Sequence, residues 1–215
     1  MTTSHALIAF IIASGLLTIT PGLDTALVLC TAAMGGRWRA VAATLGICLG
    51  LLTWGFSASV GLGMLLKASR LAYNVLRVTG AGYLIFLGCK TFFQSGLSQS
   101  GRLDSAADRK SAETGDAREW FLRGALTNLL NPKVGIFYVT FLPQFIPAGV
   151  HVVGFSMLLA SIHAIEGFLW FILLIAAVGR VSVWPQKARV AKILDRITGT
   201  AFVGFGLSLL LDERR

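Results

Sequence analysis

The sequence predicts an all-α integral membrane protein of about six transmembrane helices, arranged as two inverted three-helix repeats with helices one and four broken. Three observations carry that reading. Of 215 residues, 55% are hydrophobic and 13% charged, with a mean hydropathy of +0.73, more apolar surface than one soluble core could cover. Two long apolar runs are each interrupted by a proline beside an ionisable residue, at Thr20-Pro21-Gly22-Leu23-Asp24 and at Asn131-Pro132-Lys133. A short internal match lays Arg77 to Phe86 on Arg196 to Phe205 without a gap, which pairs the third apolar segment with the sixth. Three spans per half make the halves inverted relative to each other, an arrangement common among secondary transporters.

Segment one, Ala6 to Ala33, would measure about 42 Å as one helix, against a hydrocarbon core of roughly 30 Å. A break at Pro21-Gly22 relieves the excess, because proline removes one N–H and clashes with the carbonyl four residues back, that of Leu17. Met1 to His5 holds no Lys or Arg, so a cleaved signal peptide is not expected and the segment is read as retained. Gly35-Gly36-Arg37-Trp38-Arg39 reads as a short basic turn with an interfacial tryptophan, leading to segment two, Ala40 to Leu66. There Gly46 and Gly50, with Ser57 and Gly61, fall at small-xxx-small spacing and are read as packing positions. Segment three, Tyr73 to Phe93, has a short apolar part, so Arg77 and Lys90 must snorkel toward opposite interfaces.

Residues 95–118, rich in Ser, Gly, Asp, Lys and Arg, read as a flexible polar linker between a first repeat at 1–94 and a second at 119–215. Segment four, Trp120 to Ile146, carries the second break, and Pro143 to Gly149 is an uncharged turn. Segment five, Val152 to Val178, is apolar apart from His163 and Glu166. Gly179 to Lys192 is a basic connection, and segment six spans Ile193 to Leu211. Six spans with the N-terminus outside put most of the 19 Lys and Arg on the inner face. Four spans with the N-terminus inside satisfy the charge rule better still, and the repeat is the reason to prefer six. The net charge of +9 is therefore read as topology, with no nucleic-acid partner, because the basic residues sit between apolar runs and not on one soluble face.

The two breaks hold the candidate functional residues. Asn131 is a favoured N-cap and Pro132 a favoured first helical residue, so neither requires a further role. Lys133 does, since a cation in a first helical turn opposes the dipole and a buried ammonium is costly in lipid. It either contacts an anionic substrate group or completes a structural ion pair. Asp24, after the Pro21-Gly22 break, has three readings: an acid that holds a proton or faces an ammonium group, an N-cap for the second half-helix, or the ion-pair partner of Lys133. His163 and Glu166, three apart, share a helix face and are read as a proton relay or an interhelical hydrogen bond.

These residues resemble the LysE/RhtB family of amino-acid export permeases, which includes homoserine, threonine and lysine-type efflux proteins. Pro21-Gly22-Leu23-Asp24 is similar to the family's Pro-Gly-Pro-Asp, with Leu23 in place of the second proline. Asn131-Pro132-Lys133, the aromatic-rich stretch after it and Pro143-Gln144-Phe145 resemble the family's second motif, and Gly80 to Gly88 its third segment. The resemblance implies a multi-pass protein of the bacterial inner membrane that exports amino acids or related small metabolites by proton antiport. Its substrate carboxylate would meet Lys133 and its ammonium Asp24 and the carbonyls near Leu17. His163 and Glu166 match no family motif.

Other classes fit less well. A metal-cation exporter of the same superfamily is disfavoured because Asp24, Glu166 and His163 are scattered and Lys133 repels cations. No metal and no cofactor is expected. Cys30, Cys48 and Cys89 lack the spacing of a metal site or a redox pair. No nucleophile–base constellation suggests an enzyme, and a packing subunit has little reason to bury Lys133. Which amino acid is carried, and whether the chain is a monomer or a homo-oligomer in the bilayer, is left open by the sequence.

Overall fold

The computed structural model describes residues 2–68 and 115–178 continuously, with isolated helical positions between 75 and 93 and between 196 and 207. Every regular element among the described residues is helical. Most of segments three and six, about half of the positions in the aligned repeat, residues 95–114 and the basic connection at 179–192 lie outside the described residues. Where segments three and six are both described they touch: a Cβ at Gly88 would lie 2.7 Å from the Gly199 carbonyl oxygen.

The first helix, α1 (Thr3–Ile19), starts on Thr2, whose hydroxyl accepts from the His5 N–H, and gives way to extended backbone at Thr20. After Pro21, α2 (Leu23–Cys30) begins behind Gly22, and the segment Leu23–Gly35 is bent by 53° from α1. A π-helical turn over Thr31–Gly35 ends at Gly36, whose φ of 89° suits only glycine well, and α3 (Arg37–Ala68) follows. The expected basic turn is thus shorter than its sequence suggests. Arg37, Trp38 and Arg39 form the first turn of α3, with the Arg39 guanidinium donating to the Gly35 carbonyl at 3.1 Å.

In the second half, α4 (Ala117–Leu129) starts on Asp116, which accepts from the Glu119 N–H at 2.8 Å, so the last residues of the polar stretch are already helical. The chain breaks at Leu130-Asn131 and resumes as the short α5 (Pro132–Ile136). A π-helical turn, Phe137–Phe141, and a 3-10 turn, Leu142–Phe145, lead to α6 (Val152–Ala177), capped by His151. Among the described residues, α6 and the Arg37–Gly61 part of α3 are long and apolar enough to cross a bilayer. The bent pair of α1 with Leu23–Gly35 is a third such span if counted as one. At 13 and 5 residues, α4 and α5 each fall short of the roughly 20 that a single span needs.

Helix α3 lies along both α4 and α6, and α1 packs on α6. Glycine lets α3 and α4 meet backbone to backbone: a Cβ at Gly46 would strike the Phe121 carbonyl, and one at Gly124 the Ala43 carbonyl. Gly50 faces the side chain of Asn128. The predicted packing stripe is therefore real at Gly46 and Gly50. It ends before Ser57, which is exposed, and Gly61, which meets nothing within 4 Å among the described residues.

The outward faces are apolar. Leu45, Leu49, Phe56 and Val60 line one exposed side of α3, and Leu158, Ile165, Leu169 and Leu173 one side of α6. Faces of this length would drive association in water, whereas in a bilayer they are the solvated surface. The buried core is aromatic: Phe10 of α1 packs on Phe137 and Phe145, with ring centroids 5.8 and 5.4 Å apart. Such pairs contribute about 0.5–1.5 kcal/mol each beyond the area they bury. They fix α1 against the second break.

Candidate functional site

Breaking a helix in lipid leaves carbonyls that must find donors within the protein. At the first break these include the Leu17 and Thr20 carbonyls, and both accept from the ammonium of Lys133, at 3.0 and 3.1 Å. The Leu17 carbonyl is the one that Pro21 frees, as the sequence predicts. The sequence reading gives that carbonyl to a substrate ammonium, whereas the structure gives it to Lys133. A cation at the carboxyl end of α1 also has the favourable sign for the helix dipole, whereas at the amino end of α5 it has the unfavourable one.

The second break answers the first. Asn131 caps α5, its side-chain oxygen accepting from the Lys133 N–H at 3.1 Å, with Pro132 in the first turn, as the sequence predicts. The same side chain turns its amide toward Asp24 at 3.4 Å, and Asn128, near the end of α4, donates to the same Asp24 oxygen at 2.8 Å. Asp24 is not a cap. Gly22 holds the cap position of α2 with no side-chain hydrogen bond, and Asp24 lies in the first turn with its carboxylate turned across to α4. Its other oxygen, Oδ1, and the Oδ1 of Asn128 are buried with no hydrogen-bond partner among the described residues.

Asp24, Lys133, Asn131, Gly22 and His163 line one cavity of about 40 Å³, with Asn128 beside them. Pockets that take small molecules start near roughly 300 Å³, so this one has room for water and is closed to an amino acid. His163 is 3% exposed, stacks on Tyr138 with centroids 5.7 Å apart, and its Nδ1 meets the Tyr138 hydroxyl at 3.1 Å. Pro21 and Pro132 shape the breaks without lining the cavity. Glu166 is turned away from it: its Oε2 lies 2.6 Å from the Ser14 hydroxyl of α1. The predicted pair on α6 thus divides between two neighbours.

Sequence reasoning missed Asn128, Ser14 and Tyr138. Asn128 had a signal, because it stands three residues before Asn131 and a polar pair at that spacing in an apolar segment shares one face. Ser14 and Tyr138 are singled out only by the packing of α1 and the Phe137–Phe141 turn on α6.

Apolar outer faces around a charged centre where two helices break define a membrane protein of the broken-helix kind. Residues 15–213 match the LysE type translocator family, and the chain belongs to that family, one of transporters and not of enzymes. It is 32% identical over 206 residues to an uncharacterized membrane protein of Bacillus subtilis strain 168, YrhP, covering 94% of this chain and 97% of that protein. It is 29% identical over 205 residues to a leucine efflux protein of Klebsiella pneumoniae, covering 94% and 93% of the two chains. A threonine efflux protein of Salmonella typhi is 28% identical over 195 residues, covering 91% and 92%. No solved structure matches.

Proposed function

We propose that this protein exports amino acids or related small metabolites from the bacterial cytoplasm by proton antiport. In this reading it is a multi-pass inner-membrane carrier built from two three-helix repeats, 1–94 and 119–215, joined by the polar stretch 95–118. The observation that carries the reading is the small cavity shared by one acid and one lysine, Asp24 and Lys133, at two reciprocally bonded helix breaks. A free amino acid bears the complementary pair of charges. Its carboxylate pairs with Lys133, and its ammonium with Asp24 and the carbonyls at the first break. Protonation of Asp24 weakens the hold on the ammonium and couples release to the proton gradient. Pro21, Gly22, Pro132 and Asn131 keep the breaks open, while His163 and Glu166 support the wall formed by α6. The names of the leucine and threonine efflux relatives point to a small neutral amino acid as cargo.

Counterflow of a radiolabelled amino-acid panel in proteoliposomes tests this. Leucine or threonine is expected to exchange, and exchange of no amino acid by a folded protein overturns the reading. Reporters fused near Arg37 and near Ser100 test the topology, with the same side expected for six spans.

A further inference from the structure

We infer that Lys133 is an internal stand-in for the substrate's ammonium group, so that the site admits only zwitterions. The inference rests on the transport reading above and specifies how its site selects cargo. In this structure the Lys133 ammonium occupies the Leu17 and Thr20 carbonyls, at 3.0 and 3.1 Å. Those are the acceptors that a broken helix offers to any primary ammonium. Asp24 lines the same cavity, 9% exposed, and its Oδ1 is buried without a hydrogen-bond partner among the described residues. Two carbonyls and one carboxylate oxygen match the three hydrogens of a primary ammonium. Lys133 also fills the space. A Cβ at Gly22 would lie 3.8 Å from its Nζ, so this side chain lies across the mouth of the first break, in a cavity of only about 40 Å³.

Entry of an amino acid therefore requires exchange of one ammonium for another. The substrate's ammonium takes the carbonyls and Asp24, and Lys133 swings away carrying a positive charge that needs a new partner in a small, protein-lined site. The carboxylate on the substrate's own α-carbon is that partner. The site's charge is then the same loaded with a zwitterion as empty. An amine without a carboxylate displaces Lys133 and brings no anion in exchange, and an acid without an amine leaves Lys133 in place with no room to bind. Each loses one charge-assisted contact in a buried site, which costs roughly tenfold or more in affinity.

Ligand-induced stabilisation of the purified full chain in detergent reads this without requiring turnover. The probes are leucine, 3-methylbutylamine and 4-methylpentanoate, or the corresponding threonine set if threonine is the exchanged substrate. Wild type is expected to be stabilised by the amino acid and, at the same concentration, by neither the amine nor the acid. In Lys133→Met the carbonyls stand open, so the amine is expected to stabilise as well as the amino acid does. A lysine that serves only to hold α1 would give a less stable variant with no gain toward the amine, and that result overturns the inference. Should Lys133→Met fail to fold, wild type alone decides: stabilisation by the amine within about threefold of leucine overturns it. A wild-type protein that exchanges no amino acid removes the transport reading and this inference together. Exchange with an amine-tolerant wild-type site removes the inference alone.

Discussion

The amide of Asn128 donates to the Asp24 carboxylate at 2.8 Å, joining the end of α4 to the start of α2 across 104 residues of chain. The contact depends on Gly50, because a Cβ there would lie 2.6 Å from Asn128 Oδ1. Asn128→Leu keeps the volume and removes the donor, leaving Asp24 with Asn131 at 3.4 Å. Loss of a buried hydrogen bond to a charged group costs about 1.5–3 kcal/mol. Thermal stability of the purified protein is expected to fall accordingly, and substrate exchange to drop by roughly an order of magnitude or more. Gly50→Ala, which touches Asn128 and not Asp24, is expected to produce the same defect in weaker form. A normal exchange rate in both variants would separate Asn128 from the site.

The prolines act on the breaks themselves. Pro21→Ala restores an N–H that can return the Leu17 carbonyl to its helix and withdraw it from Lys133, and Pro132→Ala restores one for the Asn128 carbonyl at the second break. Both variants are expected to insert at wild-type levels and to exchange substrate poorly. Wild-type exchange by both would mean that the prolines serve only packing.

Ser14 and Glu166 pose a question of hydrogen count. The Ser14 hydroxyl lies 2.8 Å from the Phe10 carbonyl and 2.6 Å from Glu166 Oε2, and it carries one hydrogen. The shorter contact runs from the Ser14 hydroxyl to Glu166 Oε2, which accepts the hydrogen and ties α1 to α6. Glu166→Gln, whose side-chain oxygen can accept the same hydrogen, is expected to keep stability, exchange and gradient-driven efflux. Loss of gradient-driven efflux alone in Glu166→Gln would make this carboxyl the coupling acid.

Local chemistry is readable in the sequence and tertiary partnership is not. Pro21 and Pro132 announce their breaks because proline acts on its own backbone, and Asn131 announces its cap for the same reason. The sequence reading starts two helices late, at Ala40 and Trp120 where the structure has Arg37 and Ala117, because an apolar run ends at the first charge whereas a helix continues into the interface. Asp24 is legible as a buried acid but not as the acceptor of two amides from the other half. Lys133 is legible as a cation needing a reason, yet its carbonyl partners lie more than 100 residues away in α1 and the turn after it. No spacing rule links residues that meet only when two halves of a chain fold onto one another.

Asp24 is where coupling and binding come apart. If it carries the exchanged proton, Asp24→Asn, which is near-isosteric, is expected to lose efflux driven by a pH gradient while keeping counterflow, since loaded exchange needs only the carrier to change face. The capping explanation that would leave both activities intact is removed by the geometry, because Gly22 and not Asp24 precedes α2. The side-chain oxygen of the introduced asparagine can still accept from Asn128, so the variant should fold, but the negative charge that shares the cavity with Lys133 is then gone. Stability is therefore expected to fall in Asp24→Asn and to recover partly when Lys133→Met is added, with a coupling energy of about 0.5–3 kcal/mol between the two positions. The measurements are gradient-driven efflux and counterflow for the single variant, with thermal unfolding of the single and double variants. Strict additivity of the two substitutions would mean that the charges do not compensate one another. Gradient-driven efflux at the wild-type rate in Asp24→Asn would rule out Asp24 as the coupling acid and return the proton to Glu166 or His163.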